Sequence, residues 1–401
     1  MIAARTNVDV AVVGAGILGL AVARELTRRL PGSRISVLDK EPDVAAHQSS
    51  HNSGVIHAGI YYAPGSLKAK LCVEGAAAIY EYCDRRGITY ERCGKVIVAV
   101  DEHERVGLEE LERRGNANGV PGLKMVGAAE LRDREPHVRG VAALVSPATG
   151  IVDFGAVARS LADDVRAAGG EIVTGCEVRG VVERGRDVEL AHRGGATLAR
   201  HAVFCCGAWS DVLAVRAGAP AEPRIVPFRG SYMRLRAERT ELVRGLVYPV
   251  PDPRLPFLGV HLTRHIDGGV LVGPTALVAG ARLWRTLFWP GSWRLGARFW
   301  RTGASELRMA ASRRAFVAAA ARYVPELRVA DVEPAFAGVR AQALSRSGRL
   351  VDDFVFSATR RTLHVRNAPS PGATSSLVIA HLIAERAAGQ FELDLHAQRP
   401  E

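Results

Sequence analysis

Long apolar runs are missing from this chain: no segment approaches the roughly 20 uncharged apolar residues that a membrane-spanning helix needs, and residues 1–9 carry no apolar export core. A cytoplasmic protein is expected. Cysteine is scarce. The six thiols, Cys72, Cys83, Cys93, Cys176, Cys205 and Cys206, form no C-x-x-C pair and no zinc-site spacing, so reduced, mostly buried thiols and no metal are expected. Acidic residues are outnumbered, 42 against 53 Lys and Arg, and the net charge of +11 points to an anionic partner. Nothing resembles a nucleic-acid module, since there is neither a basic helix with base-reading side chains nor an aromatic RNP pattern. An anionic membrane surface or an acidic small molecule remains. Internal repeats and low-complexity linkers are absent too, and 401 residues suffice for two ordinary domains, which are therefore expected to interleave along the chain.

What is present starts with the run from Val10 to Gly19. Val8 to Val13 reads as a buried parallel strand, after which Gly14, Gly16 and Gly19 allow a tight turn, close approach of backbone to a phosphate, and close packing of helix on strand. The helix from Ile17 to about Leu30, with Leu18 in its first turn, brings free N–H groups and the positive end of its dipole to the same point. A second strand, Arg34 to Leu38, ends in Asp39 and Lys40, 20 residues past Gly19, where a carboxylate accepts hydrogen bonds from ribose hydroxyls and repels a 2'-phosphate. Glycines recur by chance, but strand, glycines, helix, second strand and acid in that order specify a dinucleotide site.

Further on, strands and helices alternate. Helical spacing marks Ser66 to Arg86, Glu102 to Arg114, Phe154 to Ala168 and Thr374 to Ala388; strands are expected at Lys95 to Val100, Glu171 to Val173, Glu177 to Val182, Ala202 to Cys206 and Leu363 to Arg366. Gly207 follows the fourth of these strands as another helix start. From Arg224 to Val272 short segments broken by Pro and Gly, such as Tyr232 to Leu235, Leu258 to Leu262 and Gly269 to Val272, suggest a second, mostly antiparallel sheet.

The loop from His47 to Tyr62 follows Asp39 closely and holds three histidines and two tyrosines in sixteen residues. Together with Pro256 to Arg264, Gly338 to Gln342, Leu350 to Phe354 and Asn367 to Ser376, it resembles the L-2-hydroxyglutarate dehydrogenase/oxidase family, of the FAD-dependent D-amino acid oxidase superfamily, over about Val8 to Glu392. The resemblance implies an α/β fold in which a Rossmann-like, glutathione-reductase-like FAD-binding domain (residues 1–80, 141–220 and 331–401) interleaves with an antiparallel β-sheet substrate domain (81–140 and 221–330). It implies oxidation of L-2-hydroxyglutarate, a small dicarboxylate 2-hydroxy acid, to 2-oxoglutarate, with electrons passed to quinone or oxygen. An amino-acid or amine oxidising flavoenzyme on the same scaffold, or a non-catalytic flavin-binding partner protein, is the alternative. One departure stands out: the family's Gly-Pro-Asn is here Gly273-Pro274-Thr275.

On this reading FAD meets Gly14, Gly16, Ile17, Leu18, Gly19, Asp39 and Lys40, then His47, Gln48, Ser50, His51, Asn52, Ser53, Gly54 and Val55 of the loop, Gly207, and a second turn, Pro371, Gly372, Ala373 and Thr374, suited to the flavin's carbonyl edge. Hydride transfer from the α-carbon to flavin N5 needs a base for the hydroxyl proton, and histidine meets that demand. His57 and His261 are the candidates, with His57 preferred. Arg340 can clamp the α-carboxylate with two parallel hydrogen bonds, and Tyr61, Tyr62 and Arg264 can hold the distal one. Lastly, four of the five tryptophans, Trp284, Trp289, Trp293 and Trp300, fall in residues 282–301 among five arginines and no acid, the composition of an interfacial segment that would dock on an anionic membrane near a quinone.

Overall fold

The computed structural model describes residues 4–252, 254–255, 257–278 and 283–396. Pro256 and Arg282, which belong to two of the motifs above, lie outside the described residues.

The nucleotide unit is built as the sequence suggests. The first strand, Ala4–Val13, pairs in parallel with Ile35–Leu38 on one edge and Gly195–Phe204 on the other. Glu171–Val173 extends the first side, and Thr362–Asn367 lies parallel to the end of Gly195–Phe204, while a hairpin of Val178–Arg184 and Asp187–His192 covers its beginning. The helix Ile17–Arg29 turns its apolar side to the helices Phe154–Ala167 and Ser376–Phe391, where Leu20, Leu26, Leu161, Ile379 and Ile383 are buried in one cluster. Among the buried groups Arg24 Nε donates to Asp164 at 2.6 Å, which compensates a charge that burial alone would make costly.

The second sheet has nine strands among the described residues and is antiparallel except where Leu246–Pro249 runs parallel to Lys95–Ala99. Its spine is the ribbon formed by Arg224–Leu235 and Val332–Leu344. The expected strand positions hold except Leu258 to Leu262, where the strand starts only at His261 and runs to Arg264, and two domain limits move. Ala142–Ser146 pairs with Lys95–Ala99, and Val332–Leu344 pairs with Arg224–Leu235, so both belong to this sheet and not to the nucleotide unit at whose margins the sequence places them. One face, with Val96, Val98, Leu262 and Val272, packs under Phe316 and Val317 of the helix Arg313–Ala321. The other, with Ile97, Leu246 and Tyr248, packs on Val55, Ala58 and Ile60 of the histidine loop. That second contact joins the two units. No helix of the described residues is long and apolar enough to cross a membrane.

Candidate active site

A cavity of about 880 Å³ runs from the glycine turn to the inner face of the second sheet, within the roughly 300–1,000 Å³ usual for ligand sites. At the turn, Gly14 has φ +110°, and a Cβ there would sit 2.4 Å from the carbonyl oxygen of Cys205. A Cβ on Gly19 would lie 1.9 Å from the Gly14 carbonyl oxygen, so only glycine lets the helix sit this close to its strand. Asp39 closes the turn: the Ala15 N–H donates to its Oδ2 at 2.5 Å and the Glu41 N–H to its Oδ1 at 2.9 Å. Burial raises the Asp39 pKa, which the Ala15 N–H bond and the Lys40 charge oppose. The Lys40 ammonium lies 4.1 Å from the Trp209 ring, and the His47 ring stands 5.2 Å from the same indole. Ser49, which sequence reasoning passes over, is the buried loop residue that reaches the helix: its Oγ accepts from the Ile17 N–H at 2.9 Å.

The far end gathers the polar chemistry. His57 is pinned through its backbone, its N–H donating to Thr374 Oγ1 at 3.1 Å and its carbonyl accepting from Cys72 Sγ at 3.3 Å. Burial, then the charges of Lys95, His261 and Arg340, hold its imidazole well below the usual pKa. His261 lies under the Tyr248 ring, centroids 4.1 Å apart. Its Nδ1 is 2.9 Å from the Gly259 carbonyl; as that oxygen only accepts, Nδ1 carries the proton and Nε2 is left with the lone pair. Burial lowers its pKa to about 4. Arg340 opens on to the cavity from the ribbon, its guanidinium 5.4 Å from the Phe257 ring, and no carboxylate pairs with it among the described residues. The nearby Asp352 is already bound to Lys68 at 2.6 Å. Burial raises the pKa of Tyr61 and Tyr62 well above the ordinary value, so both hydroxyls stay protonated and can donate.

Gly14, Gly16, Ile17, Leu18, Lys40, His47, Gln48, His51, Asn52, Ser53, Val55, Gly207, Pro371, Gly372, Ala373 and Thr374 all line this cavity, as do His57, His261, Arg340, Tyr61 and Tyr62. Gly19 acts from behind the turn. Ser50 and Gly54 do not line it: Ser50 is exposed beside Gly155, and Gly54 bonds the strand end at Val152 through its carbonyl. Arg264 needs correction as well. Strand alternation puts it on the face opposite His261, where its Nε contacts Glu91 at 3.3 Å outside the cavity. Thr275, which replaces the family's asparagine, turns its hydroxyl to the neighbouring strand and accepts from the Ser231 N–H at 3.1 Å. Tyr232, Tyr248 and Phe257 complete the inner wall. No periodicity singles them out, because one face of the strands of Tyr232 and Tyr248 meets a cavity instead of solvent or core, and Phe257 lies in the loop before His261–Arg264.

Residues 9–386 match the model of the FAD dependent oxidoreductase family. The chain is 46% identical to the mitochondrial L-2-hydroxyglutarate dehydrogenase of Nematostella vectensis, over 96% of this chain and 91% of that one. It is 43% identical to the human mitochondrial enzyme, over 98% and 91%, and 41% identical to L-2-hydroxyglutarate dehydrogenase of an Escherichia coli strain, over 94% and 92%. The chain belongs to the L-2-hydroxyglutarate dehydrogenase family. Its fold is also that of the dithionite-reduced, FAD-bound L-alpha-glycerophosphate oxidase of Mycoplasma pneumoniae, with a TM-score of 0.81 at 23% identity over 98% of this chain and 97% of that one. The donor set agrees with an L-2-hydroxyglutarate dehydrogenase that holds FAD: a glycine cradle with the Asp39 carboxylate at one end, and a second backbone turn, Pro371 to Thr374, beside the histidines at the other.

Proposed function

We propose that this protein oxidises L-2-hydroxyglutarate to 2-oxoglutarate, and that His57, His261 and Arg340 carry the reaction. The observation behind this reading is that all three line one cavity, with the His57 imidazole, near His261 and Arg340, held neutral by burial, and with a guanidinium that pairs with no carboxylate among the described residues. FAD supplies the acceptor for the hydride that leaves the α-carbon. Arg340 fixes the α-carboxylate through two parallel bonds, and Tyr61 and Tyr62 donate to the distal carboxylate. The hydroxyl proton passes to an imidazole. His261 offers Nε2 because Nδ1 is engaged with Gly259; His57 offers the closer tie to the cofactor turn through Thr374. A bound dicarboxylate raises the proton affinity of either ring, so the base strengthens as substrate arrives. The test is anaerobic: L-2-hydroxyglutarate should bleach the flavin absorbance of the purified protein within a turnover time. Bleaching by amino acids instead would move the protein to an amine-oxidising reaction, and no bleaching by any substrate would make it a non-catalytic flavin protein.

We further propose that the electron acceptor is a quinone met at an anionic membrane surface. Trp284, Trp293 and Trp300 are 61%, 67% and 63% exposed on the short helices Leu283–Leu287, Pro290–Arg298 and Trp300–Ala311, and Phe288 is 79% exposed in the turn after the first, with Arg294, Arg298 and Arg301 beside them. Trp289 alone of the four is buried, packed on Val226, Phe228 and Leu344, and so anchors the segment to the sheet that walls the cavity. Rings at headgroup depth with arginines on anionic lipid suit such a surface. Co-sedimentation with phosphatidylglycerol vesicles at low salt should pull down the protein, and Trp293→Ser with Trp300→Ser should release it. Absence of binding by the unsubstituted protein removes this reading and leaves oxygen as acceptor.

A further inference from the structure

Lys95 opens the strand Lys95–Ala99 and is only 3% exposed, yet no carboxylate pairs with it among the described residues. Sheet register explains where it points. Lys95 is aligned with Leu246 and Tyr248 with Ile97 across the parallel pair, and Tyr248 lies beside His261 across the next. All three side chains therefore project from the face turned to the cavity. The Lys95 ammonium is 4.1 Å from the centre of the Tyr248 ring and 5.3 Å from that of Tyr61. It does not itself line the cavity; the two rings, which do, stand between.

We infer that Lys95 is a positioning residue of the oxidation site: its ammonium, held against Tyr248 and Tyr61, adds to burial in keeping the imidazoles of His57 and His261 unprotonated and available for the substrate's hydroxyl proton. The inference rests on the reading of these histidines as proton acceptors. A buried amine without an acid is costly, and the quadrupoles of two tyrosine rings offset only part of that cost. Burial lowers the Lys95 pKa to about 7, so the amine is charged throughout the acid range in which the imidazoles would titrate. The groups around Lys95 are Cys72 from the helix Leu67–Arg86, Cys93 before its own strand, and the two tyrosines. His57 is faced by Lys95, His261 and Arg340, and His261 by Tyr248, the Gly259 carbonyl and Lys95. Among the described residues no carboxylate pairs with either ring, so burial and then the cations hold both neutral.

The experiment is the pH profile of kcat/KM for anaerobic flavin reduction by L-2-hydroxyglutarate. Removing a cation lets an imidazole hold its proton to higher pH, so Lys95→Met should move the acid limb upward by about one pH unit, the size expected for a unit charge several ångströms away in a partly desolvated site. Lys95→Arg should restore the limb, and the KM-independent rate at high pH should survive in both. Histidine ¹⁵N NMR titration of the same proteins should show the same displacement without turnover. If Lys95→Met does not accumulate, Lys95→Gln makes the same prediction. A limb that stays in place while Lys95 is neutral refutes the role of Lys95 alone. A flat profile in the unsubstituted enzyme refutes the histidine base beneath it.

Discussion

Replacing Arg340 by methionine removes the cation that the proposal assigns to the α-carboxylate while keeping much of the side chain's bulk over Phe257. The guanidinium forms no ion pair among the described residues, and the nearest acid, Asp352, is held by Lys68. Its electrostatic work is therefore free for substrate. Truncating one partner of a desolvated charge pair costs about 2–5 kcal/mol, so kcat/KM for L-2-hydroxyglutarate should fall by roughly 30-fold to 5,000-fold. Arg340→Lys, which keeps the charge but loses the planar fork, should fall between parent and methionine variant. Stopped-flow flavin reduction is the assay, with the visible spectrum confirming that FAD stays bound. A monocarboxylate such as L-lactate adds a discriminating arm: an α-carboxylate clamp predicts the same proportional loss for lactate, whereas a clamp on the distal group predicts loss for the dicarboxylate only. A holo Arg340→Met enzyme within about fivefold of the parent on both acids would refute the assignment.

Two further predictions concern binding and stability. Gly338 in the ribbon admits no side chain, because a Cβ would sit 2.2 Å from the His51 carbonyl oxygen; Gly338→Ala should push the histidine loop off the cofactor and lower the ratio of flavin to protein absorbance in the purified material. His364 is fully buried, stacked on Phe204 at 4.2 Å, and its pKa is lowered to about 3 by burial and then by Arg366. A histidine depressed in the folded state binds its proton more readily when unfolded, so its contribution is intact above about pH 6.5 and is lost as pH falls toward 3. Near pH 5 that loss is on the order of 1–2 kcal/mol. His364→Phe should flatten the fall in thermal midpoint between pH 7 and 5, and an unchanged slope would show that another group sets it.

Local regularity decided what could be read in advance. The nucleotide unit was legible because each of its signals is local: the glycines, the buried strand and the acid 20 residues on. The ribbon was not. Val332–Leu344 mixes exposed and half-buried positions without a two-residue period, because Gly338, Val339, Arg340 and Ala341 border a cavity that the pattern cannot reveal. The same blindness hid Lys95, a charged residue at the mouth of a strand, and Tyr248, whose role comes from a neighbour in another segment. His57, His261 and Arg340 were singled out because reaction chemistry demands their functional groups, and all three line the cavity. Arg264 falls outside the cavity because strand alternation turns it to the face opposite His261, where it meets Glu91.

The ribbon also ties two remote stretches of chain together. Ala341 donates its backbone N–H to Gln48 Oε1 at 3.0 Å, and Gly338 lies flush against His51, so the histidine loop and the strand that carries Arg340 meet edge to edge. The two units are thereby mechanically married beside the cavity. Loading the nucleotide pocket should stiffen the hydroxy-acid pocket as well, and the holoprotein should melt in one cooperative step instead of shedding its domains in turn.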